Sequence, residues 1–407
     1  MARRRVAVFF GGNSMEHDVS VLTGIQVMDA LDAQAYEAIP VYVAQSGEWF
    51  TGDALRRRES YLPDERTEKG LKTVHLLLGR DRAQKVEGPM LVTFANRTFG
   101  GRREEQIPFD IAFPAMHGGD GENGSIQGLF RFAGIPYVGP GPLGAAATMD
   151  KIFTKRLLGG LGIPMLSAAA FDRPTSGLHV PRETIEAVLA RDLAGTDFPY
   201  CVKPRQLGSS VGVGKARDIA ELEAALVRCF RMDTSAMVEP HVPEVAEYNI
   251  AVTRAFGEPK VSAIERPLAQ AGFLDFESKY LRGGSGGAKV PGEGGGMASA
   301  DRVLNPPELS EAQAGLIRET ALSAFDALQM AGCARIDYLS NPATGEIWLN
   351  EVNSIPGSLA YYLWEAPPLG IGFTELLDAL IEEGMARAGA DVIETDPAVG
   401  NAVIFKR

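Results

Sequence analysis

Two rhythms of apolar and polar residues run along this chain, one with the period of a strand and one with that of a helix. RVAVFF (5–10) is a β-rich apolar run that stops at Gly11-Gly12, and EHDVSVLTGIQVMDAL then repeats apolar side chains at helical spacing. The chain therefore opens as strand, glycine turn and helix. Short apolar runs punctuated by Gly and Pro (YEAIPVYVA, DIAFPAMHG, IPYVG) carry this α/β layer to about residue 142. The charged stretch 51–105 fits neither rhythm and reads as a peripheral elaboration. A helix is expected from about Thr148 through DKIFTKRLLGGLG, ended by Gly162-Ile-Pro164. FPYCVKP (198–204) and QLGSSVGVGKA (206–216) read as two strands joined by a Gly/Ser turn, followed by the helix DIAELEAALVRCF. MVEPHV (237–242) and EYNIAVTRAF (247–256) add strands, SEAQAGLIRETALSAFDALQ is an amphipathic helix, and CARIDYLS with GEIWLNEVN forms a hairpin across a polar SNPAT turn. LRGGSGGAKVPGEGGGMASA (281–300) has eight glycines and no period, the pattern of a mobile lid or linker.

Length and charge narrow the function. A chain of 407 residues is long for one core and implies two or three domains with a cleft between them. A net charge of −12 repels nucleic acid and anionic membrane, so the expected partners are small molecules, and any phosphate must meet a local cationic pocket. Cys201, Cys229 and Cys333 lack CxxC spacing and read as buried thiols. No apolar run approaches the ~18 residues of a membrane span, and VAVFF is too short for a signal peptide, so a cytoplasmic location is expected.

Five stretches carry candidate chemistry. With the hairpin turn centred near Ala343, Arg335 would lie opposite Glu351, and alternation would put Arg335, Asp337, Glu351 and Asn353 on one face, with Ile336, Trp348 and Val352 on the other. Two carboxylates and an amide oxygen are the hard donors Mg²⁺ prefers; the plainer reading is that Arg335 pairs with these acids on a solvated face. VKPRQLGSSVGVGK (202–215) combines backbone donors at Gly208 and Gly212 with Ser209, Ser210 and Lys203, which suits an anion as well as it suits a plain turn. Lys151 and Lys155 stand four apart on one helical face, ordinarily a solvated one. Near the N-terminus, GGNSMEHDVS sets Glu16 at the C-terminal end of a strand, where α/β sheets bind ligands, and AMHGGDGENGS does the same for His117 and Glu122, which could equally serve as turn stabilisers.

In order along the chain, GGNSMEHDVS, MHGGDGENGSIQGLF, IPYVG, MDK, VKPRQLGSSVGV, DFESKY, RIDY and NEVNSIPG resemble the signatures of the D-alanine–D-alanine ligase family of the ATP-grasp superfamily. The resemblance spans nearly the whole chain and implies an α/β (in part α+β) fold of three domains, 1–146, 147–241 and 242–407, with a lid at 272–300 and ATP between the last two. It implies that Lys151, Lys203, Ser209, Ser210 and the lid's Lys279 meet ATP phosphates, that Glu239, Pro240 and Val242 form the adenine hinge, and that Glu247 binds the ribose. Asp337, Glu351 and Asn353 would hold two Mg²⁺ ions, for which Mn²⁺ could substitute. Arg335 and the Gly357 N–H would form an oxyanion hole, and Glu16 would anchor the ammonium of the first amino acid. Ser209 and Tyr280 would hold Glu16 and the lid, His117 would lie near the first carboxylate, and Tyr362 and Leu363 would face the second substrate.

The implied activity is ATP-dependent joining of two D-alanines through an acyl phosphate, for peptidoglycan precursor synthesis, by a homodimer formed through the N-terminal domain. Where the family has a Ser after Pro-Gly, this chain has Tyr362 in SLAYYLWEA, and its glycine-rich lid is longer, so a ligase with another acceptor is the alternative. Tyr280 favours an amino acid over a hydroxy acid as acceptor. A nucleotide-binding protein without catalysis is weakened by the full set of metal ligands, and a dinucleotide oxidoreductase by the missing GxGxxG.

Overall fold

The computed structural model describes residues 2–61, 71–78, 88–96, 102–209, 211–268 and 302–390. Ser210, Lys279, Tyr280 and the lid stretch 272–300 lie outside the described residues. Three sheets organise the rest.

The first sheet runs β6-β5-β4-β3-β2-β1-β7. It comprises β1 (Arg4–Gly11), β2 (Tyr36–Val43), β3 (Trp49–Thr51), β4 (Lys72–Leu77), β5 (Met90–Asn96), β6 (Arg102–Pro108) and β7 (Ile111–Pro114), with helix α1 (His17–Ala30) linking β1 to β2. β1 pairs in parallel with β2 and β7, and the apolar run RVAVFF is unbroken because both faces are covered. Val6, Val8 and Phe10 enter one core, and Ala7 and Phe9 enter another with Phe109 and Phe130. The charged stretch 51–105 contributes β4 to β6, an antiparallel extension of this same sheet.

Between the sheets run α2 (Ser125–Phe132), α3 (Pro142–Met149) and α4 (Lys151–Gly160). Asp150 caps α4 by accepting a hydrogen bond from the Phe153 N–H at 2.9 Å. The helix expected from Thr148 therefore starts at Lys151, with α3 separate before it. The second sheet, β10-β9-β11-β8, is antiparallel and consists of β8 (Ala169–Asp172), β9 (Tyr200–Pro204), β10 (Gly214–Ala216) and β11 (Ser235–Pro240), backed by α5 (Arg182–Asp192) and α6 (Ile219–Phe230).

The third sheet has the order β14-β13-β12-β15-β16, from β12 (Ala246–Thr253), β13 (Lys260–Pro267), β14 (Arg302–Leu304), β15 (Cys333–Ser340) and β16 (Ile347–Asn353). Helix α7 (Glu311–Ala327) starts at a capping box formed by Ser310 and Gln313 and packs on the apolar face of Tyr248, Ile250, Ile336, Tyr338 and Val352. The opposite face is polar. The hairpin register differs from the expected one, because Arg335 faces Asn353 and Asp337 faces Glu351, whereas beyond them Tyr338 pairs with Leu349. Asn350 is thus an extra residue, a bulge that reverses the alternation. Arg335, Asp337, Glu351 and Asn353 still share a face, but Trp348, opposite Leu339, leaves the core side and Leu349 takes its place.

After the short helix α8 (Tyr361–Trp364), α9 (Phe373–Ala390) packs Leu376, Leu377, Leu380 and Ile381 into the core of the first sheet beside Val6, Val8 and Phe10. No motif in the sequence announced this return. The joint is sealed by Arg387, which donates to the carbonyls of Gly139 (2.6 Å) and Tyr137 (2.9 Å), and by Glu383, which accepts from the Gly332 N–H at 2.8 Å. Gly332 has φ +76°, and a Cβ there would lie 2.6 Å from Gly139 Cα. Gly332→Ala is therefore expected to cost more than the ~1–2 kcal/mol of a left-handed alanine alone. Urea unfolding measures it, and an unchanged midpoint would contradict this account of the joint.

Candidate functional site

The polar face of the third sheet collects charge by register. Glu265 pairs with Asn249, Asn249 with Asp337, and Asp337 with Glu351, which aligns four polar side chains across four strands. Arg335 grips Asp337 through two hydrogen bonds, Nε to Oδ1 at 2.7 Å and Nη2 to Oδ2 at 2.8 Å, and Asn353 Nδ2 donates to the same Oδ2 at 2.9 Å. Lys151 reaches Glu351 at 3.6 Å and donates to the Leu207 carbonyl at 2.6 Å. These are part-buried groups, with side-chain exposures of 12% for Arg335 and 15% for Asp337. The solvated-face reading of the hairpin is therefore replaced by an enclosed one. Asp337, Glu351 and the Asn353 amide oxygen are a hard-oxygen donor set suited to Mg²⁺.

Across from this face, between the second and third sheets, lies a cleft of about 750 Å³ open to solvent. Lys151, Lys203, Glu239, Pro240, Val242, Glu247 and Glu351 all line it. Beneath it, Glu239 is 1% exposed and bridges two lysines, Lys203 at 2.6 Å and Lys155 at 3.0 Å. Burial disfavours charge on all three groups, yet the two cations pull the Glu239 carboxyl down to about 2. For Lys203 burial is likewise outweighed, and Glu239 holds the ammonium above its ordinary value; for Lys155 burial prevails and the value is lowered. The cluster keeps Lys203 charged at the floor of the cleft, where an anion is attracted.

Neither lysine of MDKIFTKRLL lies on a solvated face. Lys155 stands three residues after Ile152 and three before Leu158, both buried, and this spacing is the signal that turns it inward. Because the Glu239 carboxylate faces these lysines, only the main chain of that residue is left for a hinge role. Lys203 also donates to Asn350 Oδ1 at 3.3 Å, so the bulge residue ties the hairpin to the second sheet.

A third group closes the site from the first sheet. Glu16, at the start of α1, accepts a hydrogen bond from the Ser209 hydroxyl. A Cβ at Gly118 or Gly208 would meet its Oε2 at 2.6 Å or 2.8 Å and displace the carboxylate, and Gly118 also stands at φ +66°, where glycine is favoured. Ser209 itself stands in the left-handed region, at φ 50°. Glu122 accepts from the N–H groups of Gly118 (2.7 Å) and Ile355 (3.2 Å) and from the Ser354 hydroxyl (3.3 Å), joining the glycine turn to the end of the hairpin. His117 Nε2 meets Thr23 Oγ1 at 2.8 Å, and that oxygen also accepts from the Ser358 N–H at 3.2 Å. His117 is thus buried beside the site as a neutral spacer, its pKa pushed down by burial to about 4. Desolvation, with the Glu16 carboxylate nearby, raises Glu122 above the usual carboxylate range.

After Gly357 the chain makes a tight left-handed turn, with φ of 53°, 52° and 50° at Ser358, Leu359 and Ala360. Such backbone costs roughly 1–2 kcal/mol per residue and persists only when held. Leu359 N–H donates to the Pro356 carbonyl at 2.8 Å, and the Ser358 hydroxyl donates to Gln26 Oε1 at 2.6 Å. The turn leads Tyr362 and Leu363 into the same apolar core, Leu363 fully buried and the Tyr362 ring covered by the Arg302 guanidinium at 3.8 Å. Thr23, Glu265 and Arg302 were missed in the sequence because each acts through a partner distant along the chain.

The family model described as D-ala D-ala ligase N-terminus matches residues 5–140, and that described as D-ala D-ala ligase C-terminus matches 157–382. Among curated relatives, a D-alanine–D-alanine ligase of Deinococcus radiodurans is 36% identical, with 93% of this chain and 98% of the relative covered. One from Bifidobacterium adolescentis is 35% identical, with 94% and 99% covered. Among solved structures, the D-alanine-D-alanine ligase from Coxiella burnetii has a TM-score of 0.73 at 25% identity, covering 96% of both chains. The VanG D-Ala:D-Ser ligase from Enterococcus faecalis has a TM-score of 0.71 at 28% identity, covering 94% of this chain and all of that one.

Acid and base act on the closing group in opposite senses. His117 is depressed, so its stabilising contribution is complete above about pH 6.5 and is lost as the pH falls toward 4, about 3 kcal/mol in all. Glu122 is raised, so its contribution is present at low pH and lost as the pH rises past the carboxylate range. Unfolding free energies measured from pH 4 to 7 should rise with pH in Glu122→Gln and fall with pH in His117→Gln, relative to the unaltered chain. Parallel profiles for all three would contradict these assignments.

Proposed function

The chain belongs to the D-alanine–D-alanine ligase family and is an ATP-dependent enzyme of that kind, and from this premise we propose how its residues divide the work of joining two D-alanines for peptidoglycan precursors. The observation that carries the reading is the meeting of the lysine-lined cleft with the Arg335–Asp337–Glu351–Asn353 face. A triphosphate in the cleft would end where a carboxylate held beside Glu16 can reach it. In this scheme the domains are 1–146, 147–241 and 242–407.

Glu16, held by Ser209, anchors the ammonium of the first D-alanine. The carboxylate of that D-alanine attacks the γ-phosphorus, ADP leaves, and an acyl phosphate is formed. Lys151 and Lys203 offset the charge of two anions brought together, and the buried Glu239 and Lys155 fix Lys203 in place. Pro240 and Val242 flank the base and Glu247 the ribose. Mg²⁺, or Mn²⁺ in its place, held as two ions by Asp337, Glu351 and Asn353, would add charge neutralisation at the phosphates. The amine of the second D-alanine then attacks the acyl carbon. Arg335 and the Gly357 N–H receive the oxyanion, and phosphate departs with the bridging oxygen. His117, neutral and buried, supports the first substrate's subsite without taking a proton. Tyr362 borders the second substrate, with Leu363 behind it. Roles for Ser210, Lys279 and Tyr280 in phosphate contact and lid closure rest on the family resemblance.

A homodimer through the first domain and a cytoplasmic location complete the proposal. Among the described residues no helix is long and apolar enough to cross a membrane.

Phosphate release and dipeptide formation with D-alanine, compared with L-alanine, D-serine and D-lactate, test the reading. D-alanine should turn over as both substrates, with activity lost on chelation and restored by Mg²⁺. Arg335→Ala should lower kcat by about 10²–10³-fold, as for loss of an oxyanion donor. An Arg335→Ala enzyme of ordinary kcat would remove that residue from its proposed role.

A further inference from the structure

Amide formation depends on where the Gly357 N–H points, and Gly357 lies between two places at which side chains from the first sheet's layer grip the end of the hairpin. Upstream, Glu122 accepts from the Ser354 hydroxyl at 3.3 Å and from the Ile355 N–H at 3.2 Å. Downstream, Thr23 on α1 accepts from the Ser358 N–H at 3.2 Å, and Gln26, one turn further along the same helix, accepts from the Ser358 hydroxyl at 2.6 Å. Helical spacing puts both residues on one face with Glu16 and Ser20, and Ser20 accepts from the His117 N–H at 2.8 Å. One polar stripe of α1 therefore runs from the proposed ammonium anchor to the turn that carries the proposed oxyanion donor.

His117 joins the two grips. Its Nε2 meets Thr23 Oγ1 at 2.8 Å, and the same ring is hydrogen-bonded to the main chain of Ile355. A hydroxyl can accept from the Ser358 N–H while giving its own proton to the open nitrogen of a neutral imidazole. Thr23, His117 and Ser358 are 1%, 3% and 5% exposed, so water does not replace a partner that is lost. The turn needs such support, because Ser358, Leu359 and Ala360 are all left-handed and none is glycine. Its geometry bears directly on the donor. The Pro356 carbonyl is held by the Leu359 N–H at 2.8 Å, and since a peptide is planar, this fixes the direction of the Gly357 N–H on the other side of the same bond. Leu359 follows Ser358 directly, so the grip on Ser358 sets that direction in turn.

We propose that Thr23 and Gln26 are positioning residues for amide formation, holding Ser358 so that the Gly357 N–H stays aimed at the oxyanion. Helix α1, which packs on the first sheet, thereby completes an oxyanion hole whose two donors, Arg335 and Gly357, both belong to the hairpin of the third. The inference rests on the ligase reading above and gives α1 a part in its second chemical step.

Positional isotope exchange separates the two steps. The full-length enzyme is given Mg²⁺, D-alanine and ATP labelled with ¹⁸O in the β,γ bridge. Each time the acyl phosphate forms and returns to ATP, the labelled oxygen can move to a non-bridging β position, because the β-phosphate of bound ADP turns. Each time the amine attacks, a dipeptide is made instead. The ratio of exchange to dipeptide thus reads how often the intermediate goes back, and a general loss of folded enzyme lowers both without moving it. In Thr23→Val, of similar shape but without the hydroxyl, the ratio should rise by about tenfold, less than the ~10²–10³ of losing an oxyanion donor outright. In Gln26→Leu it should rise several-fold, and in Thr23→Ser, which keeps the hydroxyl, it should stay near its ordinary value. Should Thr23→Val not fold, Gln26→Leu decides alone. A ratio unchanged in every folded variant that lacks the Thr23 hydroxyl or the Gln26 amide would overturn this inference and leave the ligase reading intact, and so would a rise in Thr23→Ser equal to that in Thr23→Val. Failure of the unaltered enzyme to form any D-alanine dipeptide would overturn both.

Discussion

One extra residue in a strand organises the site. In β16 the buried residues Ile347 and Leu349 are two apart, but Leu349 and Val352 are three apart, and the bulge at Asn350 absorbs the difference. Without it, strict alternation would carry Glu351 and Asn353 to the side that Leu349 occupies, against α7 and the apolar core. Two polar groups would be buried there without partners, at several kcal/mol. With it, both join Arg335 and Asp337 on the polar face. The same residue reaches Lys203 with its amide oxygen, so the device that sets the hairpin face also fastens it to the wall of the lysine-lined cleft.

The second organising constraint is electrostatic. A cleft that is to attract anions has to offer positive charge without letting it collapse into local ion pairs. The structure buries one carboxylate, Glu239, between two lysines, and that carboxylate keeps Lys203 charged despite its depth. The glycine turn works the other way: Glu16 and Glu122 lie close together, and the glycines at 118 and 208 leave the Glu16 carboxylate its place. Cation on one wall and anion on the other set the direction in which an amino acid with both charges would enter.

Much of this was legible in the chain. The strand-turn-helix opening, the Gly/Ser turn between β9 and β10, and the helix capped at Ser310 follow from local periodicity and appear where expected. The common face of Arg335, Asp337, Glu351 and Asn353 was also foreseen, although with the register displaced by two residues, one from the bulge at Asn350 and one because the turn is centred half a residue beyond Ala343. The nature of stretch 51–105 was not legible, since edge strands of a wide sheet carry charge on exposed positions and lose their apolar signal. Lys155 was misread because a lysine on an inward helical face is tolerated only when a distant carboxylate meets it, and Glu239 lies 84 residues away in sequence. The return of α9 to the first sheet is a long-range packing choice with no local mark. Interactions set by one stretch of backbone could be inferred, and those set by pairing across the fold could not.

The central claim is that a substrate carboxylate meets the γ-phosphate at the hairpin face and becomes an acyl phosphate. Following oxygen through the reaction tests it most directly. D-alanine labelled with ¹⁸O in its carboxylate is turned over with unlabelled ATP, and the inorganic phosphate released is examined by mass spectrometry. The account predicts one labelled oxygen in each phosphate, because the bridging atom leaves with phosphorus when the amine attacks carbon. Phosphate free of label, formed in step with the dipeptide, would contradict it.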